Sequence, residues 1–215
     1  MATNNNLTST SNSASQPGQF TYPPLYNFPP FFTLQRNAQT LASQLNTWTK
    51  FVLNFCQFNR IFILDVEGAW ERSTGAGGLF RNSTIQRELN SDSIRQIFKA
   101  LVDQGSASWD PALPTTKSNS KGANKSLVAD RILVFWRKPE EWGEQIFNWI
   151  STTGQNGSIM TFFELTEGDL VQDQEFHYLP IALLRLALLT LEKQGKARVF
   201  EGTEGGDSTT GVKFA

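Results

Sequence analysis

The sequence of 215 residues holds a single cysteine, Cys56, and a single histidine, His177. One thiol excludes an intrachain disulfide and fits a reducing compartment, so a cytoplasmic location is expected. Structural zinc takes four Cys or His ligands, which this chain cannot assemble. A nucleophile needs a base and an orienting group within hydrogen-bond reach, and Cys56 and His177 lie in separate halves of the chain. His177, beside Tyr178, reads as a structural or surface residue. No catalytic residue, metal or cofactor is expected, and the chain reads as a non-enzyme. Gly75-Ala-Gly-Gly78 lacks the lysine of a phosphate loop and reads as a flexible connection. No apolar run approaches the roughly 18 residues of a membrane span. The N-terminus shows neither the basic start nor the apolar stretch of a secretory signal.

Charge is absent from residues 1–35 and uneven beyond them. Residues 36–140 carry 14 basic and nine acidic side chains, a balance of +5, and residues 141–215 carry five and 11, a balance of -6; together these give the net -1. Such asymmetry bears on partners rather than on fold. The second half is expected to repel nucleic acid and to suit a basic partner.

What is present is a repeat. Leu101-Val-Asp-Gln-Gly-Ser-Ala107 and Leu191-Glu-Lys-Gln-Gly-Lys-Ala197 share Leu-x-x-Gln-Gly-x-Ala. Upstream, Leu64-Asp-Val-Glu-Gly68 pairs with Leu165-Thr-Glu-Gly168 up to one gap, and Trp48 and Phe55 pair with Trp142 and Trp149. A period of about ninety residues, seen once, suits a tandem of two like domains. Six Trp and 17 Phe supply material for two modest cores.

Residues 1–19 are polar and expected to be disordered. From Phe20 to Leu34 the chain is uncharged and rich in Phe, Tyr and Pro. Pro23-Pro24 and Pro29-Pro30 predict extended, polyproline-like backbone rather than helix. Leu41, Leu45, Trp48, Val52 and Phe55 recur at helical spacing and predict a helix over about 37–57. Ile61–Val66 predicts a strand and Glu71–Gly78 a loop. Ser83-Thr-Ile-Gln86 has capping-box spacing and predicts a short helix through Leu89. A third helix runs from Ser91, with Gly105 where a C-terminal cap belongs. Strands follow at Ala107–Trp109 and Arg131–Trp136, around a polar insertion at 110–130.

That order is the winged-helix arrangement, and the second copy repeats it. Pro139 opens a helix with Trp142, Ile146, Trp149 and Ile150 on one face. Ser158–Leu165 predicts a strand and Asp169–Phe176 a weaker helix. Pro180 opens an apolar helix through Gln194, and Ala197–Phe200 with Val212–Phe214 close the sheet around a glycine-rich wing. The expected fold class is α+β: two tandem winged-helix domains, 36–137 and 138–215, each a small helical core with a short antiparallel sheet.

Two partner classes compete. Winged helices often read DNA with their third helix; Arg95 and Lys99 share one face of that helix, and Lys117, Lys121 and Lys125 lie in the insertion. The alternative is a solvated face and a soluble loop. In the second domain the corresponding helix, Ile181 to Leu191, is covered in leucine, with Arg185 its one cation before Lys193. An acidic domain with such a helix makes a poor phosphate binder. Apolar residues on every side predict its burial against another protein. Pro23-Pro24-Leu25-Tyr26 is a literal Pro-Pro-x-Tyr, the kind of ligand that aromatic grooves accept, and Pro29-Pro30-Phe31-Phe32 has the same shape. The alternative is an arm folded onto its own first domain.

Pro29-Pro-Phe-Phe-Thr-Leu-Gln35, Gln44-Leu45 ahead of Trp48, Trp136-Arg-Lys-Pro-Glu-Glu-Trp142, Ser158-Ile-Met-Thr-Phe-Phe-Glu-Leu165, Glu175-Phe-His177 and Gly211-Val-Lys-Phe214 form one ordered set. From Tyr26 onward, the chain closely resembles the small-subunit family of the endosomal sorting complex ESCRT-II. The resemblance implies tandem winged-helix domains used for protein contacts, and two copies of this subunit on a core of two larger subunits. It implies an adaptor, cytoplasmic and recruited to the endosome, that reaches the membrane only indirectly and sorts ubiquitylated cargo into multivesicular bodies. It also implies that Pro29, Pro30, Phe31 and Phe32 dock into the larger subunits, with Pro23, Pro24 and Tyr26 as an additional motif of this chain. The second domain is then expected to recruit the first subunit of ESCRT-III around Thr161, Phe162 and Lys213. Phe31→Ala with Phe32→Ala is therefore expected to abolish assembly with the larger subunits while leaving thermal unfolding nearly unchanged.

Overall fold

The computed structural model describes residues 18–109, 130–200 and 210–215. The polar tail, nearly all of the 110–130 insertion with its three lysines, and the glycine-rich wing at 201–209 lie outside the described residues.

The first long helix, α1, spans Ala38–Asn59. Asn37 caps it, its side-chain oxygen accepting from the N–H groups of Gln39 and Thr40 at 3.1 Å each. Strand β1 (Ile63–Asp65) follows, then α2 (Ala69–Thr74), which takes up the first half of the loop predicted at Glu71–Gly78. Asp65 starts α2, because its carboxylate accepts from the N–H groups of Ala69 (2.9 Å) and Trp70 (3.1 Å). The predicted helix at 83–89 is instead a hairpin of β2 (Arg81–Asn82) and β3 (Arg87–Glu88). The side chain of Asn82 accepts from Thr84 and Ile85, and Gln86 takes φ 53°, so the turn outcompetes the capping box. Then come α3 (Ser91–Asp103), β4 (Ala107–Trp109) and β5 (Arg131–Val134).

The second half repeats this order with α4 (Pro139–Thr152), β6 (Ile159–Thr161), α5 (Phe162–Thr166), α6 (Ile181–Lys193), β7 (Ala197–Phe200) and β8 (Gly211–Phe214). The predicted strand at 158–165 breaks at Thr161. There a capping box forms, Thr161 Oγ1 accepting from the Glu164 N–H (3.1 Å) and Glu164 from the Thr161 N–H (2.6 Å). The weaker helix candidate is reduced to a 3-10 turn at Asp169–Val171.

The repeated phrase is a helix stop. Gly105 and Gly195 take φ 70° and 72°, and the N–H groups of Ser106 and Lys196 donate to the carbonyls of Leu101 and Leu191, 2.9 Å in both. Only a residue without Cβ adopts that left-handed turn without cost. The chain then enters the outer strand of a three-stranded antiparallel sheet, ordered β1-β5-β4 in the first domain and β6-β8-β7 in the second.

The leucines of α6 are taken up inside the chain, which corrects their predicted burial against another protein. Leu183, Leu184, Ala187, Leu188 and Leu191 are buried in the second core, and Leu189 is exposed. Gly143 of α4 permits the close approach, since a Cβ there would meet Ala187 O and Thr190 Oγ1 at 2.9 Å. Gly143→Ala favours the helix by up to about 1 kcal/mol, but the clash falls on backbone that cannot yield. Overpacking of that kind costs about 1–3 kcal/mol, so the variant is expected to melt at a lower temperature.

The two domains share a wall. Phe62 and Leu133 of the first domain are buried in the core of the second. Trp142 lies 6.2 Å from Phe62 and 5.0 Å from Trp136, centroid to centroid. Arg60, in left-handed conformation at the end of α1, donates through Nη2 to the carbonyls of Glu175 (2.8 Å) and His177 (3.0 Å). Arg137 pairs with the Glu175 carboxylate at 2.8 Å.

Candidate interaction surfaces

The arm is two 3-10 turns, Pro24–Asn27 and Pro29–Phe32, each opening on proline, rather than extended chain. The fixed φ of proline suits the first position of a helical turn as well as it suits polyproline. This winding points the aromatic half of each motif inward. Phe31 stacks on Trp48 with centroids 4.2 Å apart and planes 5° apart, and its carbonyl accepts from Trp48 Nε1 at 3.1 Å. Phe32 meets the same indole edge-on at 5.6 Å. The Tyr26 hydroxyl sits between the carbonyls of Gly78 and Arg81, and burial, then Tyr22 and Glu71, raise its pKa.

Tyr26, Phe31 and Phe32 are therefore core residues of the first domain, at 6%, 3% and 4% exposure. The idea that Phe31 and Phe32 can be removed at little cost to folding is corrected: the alternative of an arm folded on its own domain holds for the rings. Pro24, Pro29 and Pro30 remain exposed, and Pro23 is half-buried. Leu25 (47% exposed) and Phe28 (53%) join them, and neither stood out in the sequence. These two flank a groove of about 420 Å³ whose other walls include Pro30, Thr40, Ser43 and Thr47. No charged side chain lines it.

In the second domain Thr161 and Lys213 come together on the outer face of the sheet, where Thr161 lies opposite Gly211 and Lys213 opposite Ile159. Phe162 does not join them. It is fully buried, with the Arg185 guanidinium 5.1 Å over its ring, and so cannot touch a partner directly. The acidic character lies elsewhere. Residues 139–184 hold eight Asp and Glu and no Lys or Arg. Glu164 is engaged in its cap and Glu175 with Arg137, while Glu167, Asp169 and Asp173 are exposed beside Phe163 (52%) and Leu170 (69%) around α5 and the turn after it. This surface, apolar with a carboxylate rim, suits a basic amphipathic segment.

The third helix of the first domain is poorly suited to phosphates. Arg95 is bound by Asp130 (2.7 Å) and Asp92 (3.0 Å), which hold its guanidinium pKa up, and Lys99 by Asp103 (2.5 Å). Both cations face carboxylates of their own domain, in exposed pairs of the kind worth about 0–1 kcal/mol. Cys56 is fully buried, and burial raises its thiol pKa. The His177 ring lies tilted against Tyr178 at 3.9 Å between ring centres, and its backbone carbonyl accepts from Arg60. Among the described residues no group of His, Cys, Asp or Glu is placed to hold a metal ion, and no helix is long and apolar enough to cross a membrane.

Comparison with known proteins decides the family. Residues 25–180 match the family described as ESCRT-II complex subunit. The chain belongs to that family. It is 38% identical over 195 residues to vacuolar protein-sorting-associated protein 25 of Homo sapiens, covering 91% of this chain and 97% of the relative. The Schizosaccharomyces pombe protein of the same name is 37% identical over 183 residues, 85% of this chain and 93% of its own length. Among solved structures, the VPS25 subunit of the endosomal trafficking complex ESCRT-II superposes with a TM-score of 0.70 at 27% identity, covering 90% of this chain and 98% of that one. The crystal structure of the endosomal complex ESCRT-II (VPS22/VPS25/VPS36) gives 0.69 at the same identity and coverage. The fold class expected from the repeat, tandem winged-helix domains, agrees with that of this family. ESCRT-II is an endosomal trafficking complex.

Proposed function

We propose that this chain is a non-enzymatic adaptor of ESCRT-II, joining the two larger subunits at one end and ESCRT-III at the other during sorting of ubiquitylated cargo into multivesicular bodies. Two copies per complex are proposed on the same grounds of kinship. The observation that carries the reading is the uncharged ridge of Leu25, Phe28, Pro29 and Pro30, held rigid by rings buried beneath it. Exposed apolar residues preset in one conformation cost little to order on binding, and buried aromatic anchors dominate interface energy. Pro23 and Pro24 set the first turn. Tyr26, Phe31 and Phe32 act by shaping the ridge.

Leu25→Ala with Phe28→Ala is expected to weaken assembly with the larger subunits by at least about 2 kcal/mol, roughly thirtyfold in affinity, while thermal unfolding stays within about 0.5 kcal/mol of the parent. Co-purification and binding titration check the first part, and a melting curve the second. Undiminished assembly would remove the ridge from the interface.

The second domain is proposed to receive the first subunit of ESCRT-III on the acidic surface around α5, with Thr161 at its border through the bond to Glu164. Complementary charge raises encounter rates more than it adds affinity. Glu167→Lys with Asp173→Lys is therefore expected to slow association about tenfold at low salt and to abolish its ionic-strength dependence. An unchanged on-rate in stopped-flow measurements would count against this surface. Recruitment to the endosome then follows from the partners, with membrane contact indirect. The rival reading, a nucleic-acid-binding winged helix, is disfavoured by the ion pairs that occupy Arg95 and Lys99.

A further inference from the structure

Strand β1 is an outer strand of the first sheet, where only β5 pairs with it. The Val66 N–H donates to the Asp130 carbonyl (2.9 Å) and the Val134 N–H to that of Phe62 (2.7 Å). In an antiparallel ladder such pairs fall on alternate residues, so Phe62, Leu64 and Val66 direct their backbone groups at β5. Ile63 therefore turns its N–H and C=O away from the sheet, and neither has a hydrogen-bond partner among the described residues. A groove of about 650 Å³ opens beside this edge, lined by Ile63 and Asp65, by Ala69, Trp70 and Ser73 of α2, and by Pro180 of the second domain. Sheet edges are ordinarily blunted by lysine, proline or a covering group. The outer strand β7 of the second sheet obeys that rule, since the Glu192 carboxylate accepts from the Val199 N–H at 2.7 Å. Strand β1 has neither lysine nor proline.

We propose that β1 is extended by a strand of a partner polypeptide, which lies in this groove and exchanges backbone hydrogen bonds with Ile63. The groups around the groove set the chemistry of that strand. The Asp65 carboxylate is spent on the N–H groups of Ala69 and Trp70, and Asp65 stands opposite Arg131 in the ladder. Asp130 is paired with Arg95, and Arg60 holds the carbonyls of Glu175 and His177. Glu67, also on the groove wall, is exposed and makes no hydrogen bond or ion pair among the described residues. A lysine or arginine of the added strand supplies its counter-charge. The residue opposite Ile63 falls on the same face of the sheet, where Ile63 packs against the core of the second domain. That residue is apolar. The partner segment is thus an extended apolar strand with a cation at its Glu67 end. The site shares no residue with the ridge or with the acidic surface around α5, and it stands independently of both.

The test uses the full chain and a labelled extended peptide that alternates valine and threonine and ends in lysine. One control peptide carries glutamate in place of the lysine. A second carries an N-methyl group on its central amide, which removes the donor and leaves the side chains unchanged. Fluorescence anisotropy is expected to show binding of the lysine peptide and about fivefold weaker binding of the glutamate peptide at low salt. The methylated peptide is expected to bind at least about tenfold more weakly. Glu67→Lys, an exposed change that leaves the fold intact, is expected to reverse the preference between the lysine and glutamate ends. Bound lysine peptide is expected to slow hydrogen exchange at the Ile63 N–H. Leu25→Ala with Phe28→Ala is expected to leave all of this unchanged, which separates the site from the ridge. No binding at about 1 mM peptide, equal binding of the methylated peptide, indifference to the end charge or an unprotected Ile63 N–H overturns the proposal.

Discussion

Phe31→Ala is expected to cost about 3–5 kcal/mol of folding stability, the range for a buried aromatic truncated to alanine. The ring is 3% exposed and stacked on Trp48, so the variant loses an aromatic pair worth about 0.5–1.5 kcal/mol beyond the area it buries. Phe31→Ala with Phe32→Ala is expected to unfold the first domain at room temperature, since domains hold only about 5–15 kcal/mol in total. The two losses will not add, because both rings touch the same indole. Chemical denaturation of the single variant is the measurement, and a loss below about 1 kcal/mol would mean that the arm is not part of this core. The consequence for partner binding is direct. Failure of the double variant to assemble would report a missing domain, whereas Leu25→Ala with Phe28→Ala tests the ridge on an intact scaffold.

How much of this was legible in the sequence depends on which residues set the local choice. The long helices were, because Trp48, Val52 and Phe55, or Trp142, Ile146 and Ile150, repeat over several turns and no nearby polar group competes. The repeated helix stop was, because Gly105 and Gly195 are needed for one backbone conformation. Short elements were decided instead by single side chains reaching a few residues ahead. Asp65 nucleated α2, Asn82 made a turn where a capping box was spelled out, and Thr161 ended a strand that its β-rich neighbours would have continued. The signature of Thr161 and Glu164 stood in the sequence and could have been found.

The interaction surfaces were half legible. Composition located an uncharged arm and an acidic second domain, but not which way each side chain turns. Proline's fixed φ is compatible with both extended chain and a 3-10 turn, and the choice between them decides whether Phe31 or Phe28 faces water. In the second domain the net charge concealed two patches of opposite sign. All eight carboxylates of residues 139–184 precede the cations Arg198 and Lys213 in sequence, and those two cations stand opposite each other on β7 and β8.

Leu133→Lys puts into the first sheet the residue that the second sheet carries at the same register position, since Leu133 lies opposite Ile63 as Lys213 lies opposite Ile159. Leu133 is 2% exposed between the domains. Truncating a buried leucine alone costs about 2–5 kcal/mol, and an unpaired ammonium in its place adds a desolvation penalty of several kcal/mol. Lysine can escape only by snorkelling outward, which requires the wall between the domains to open. The expected result is a separation of the domains rather than collapse of either, because Leu133 stands on the outer face of its sheet while Ile132 and Val134 hold the first core. Calorimetry of the variant is expected to resolve two transitions where the parent shows one, and small-angle scattering to report a larger radius of gyration. The bonds from Arg60 and Arg137 to the 175–177 segment would remain the last links across the joint. A single cooperative transition within about 1 kcal/mol of the parent would show that the face tolerates a cation at its centre even when covered.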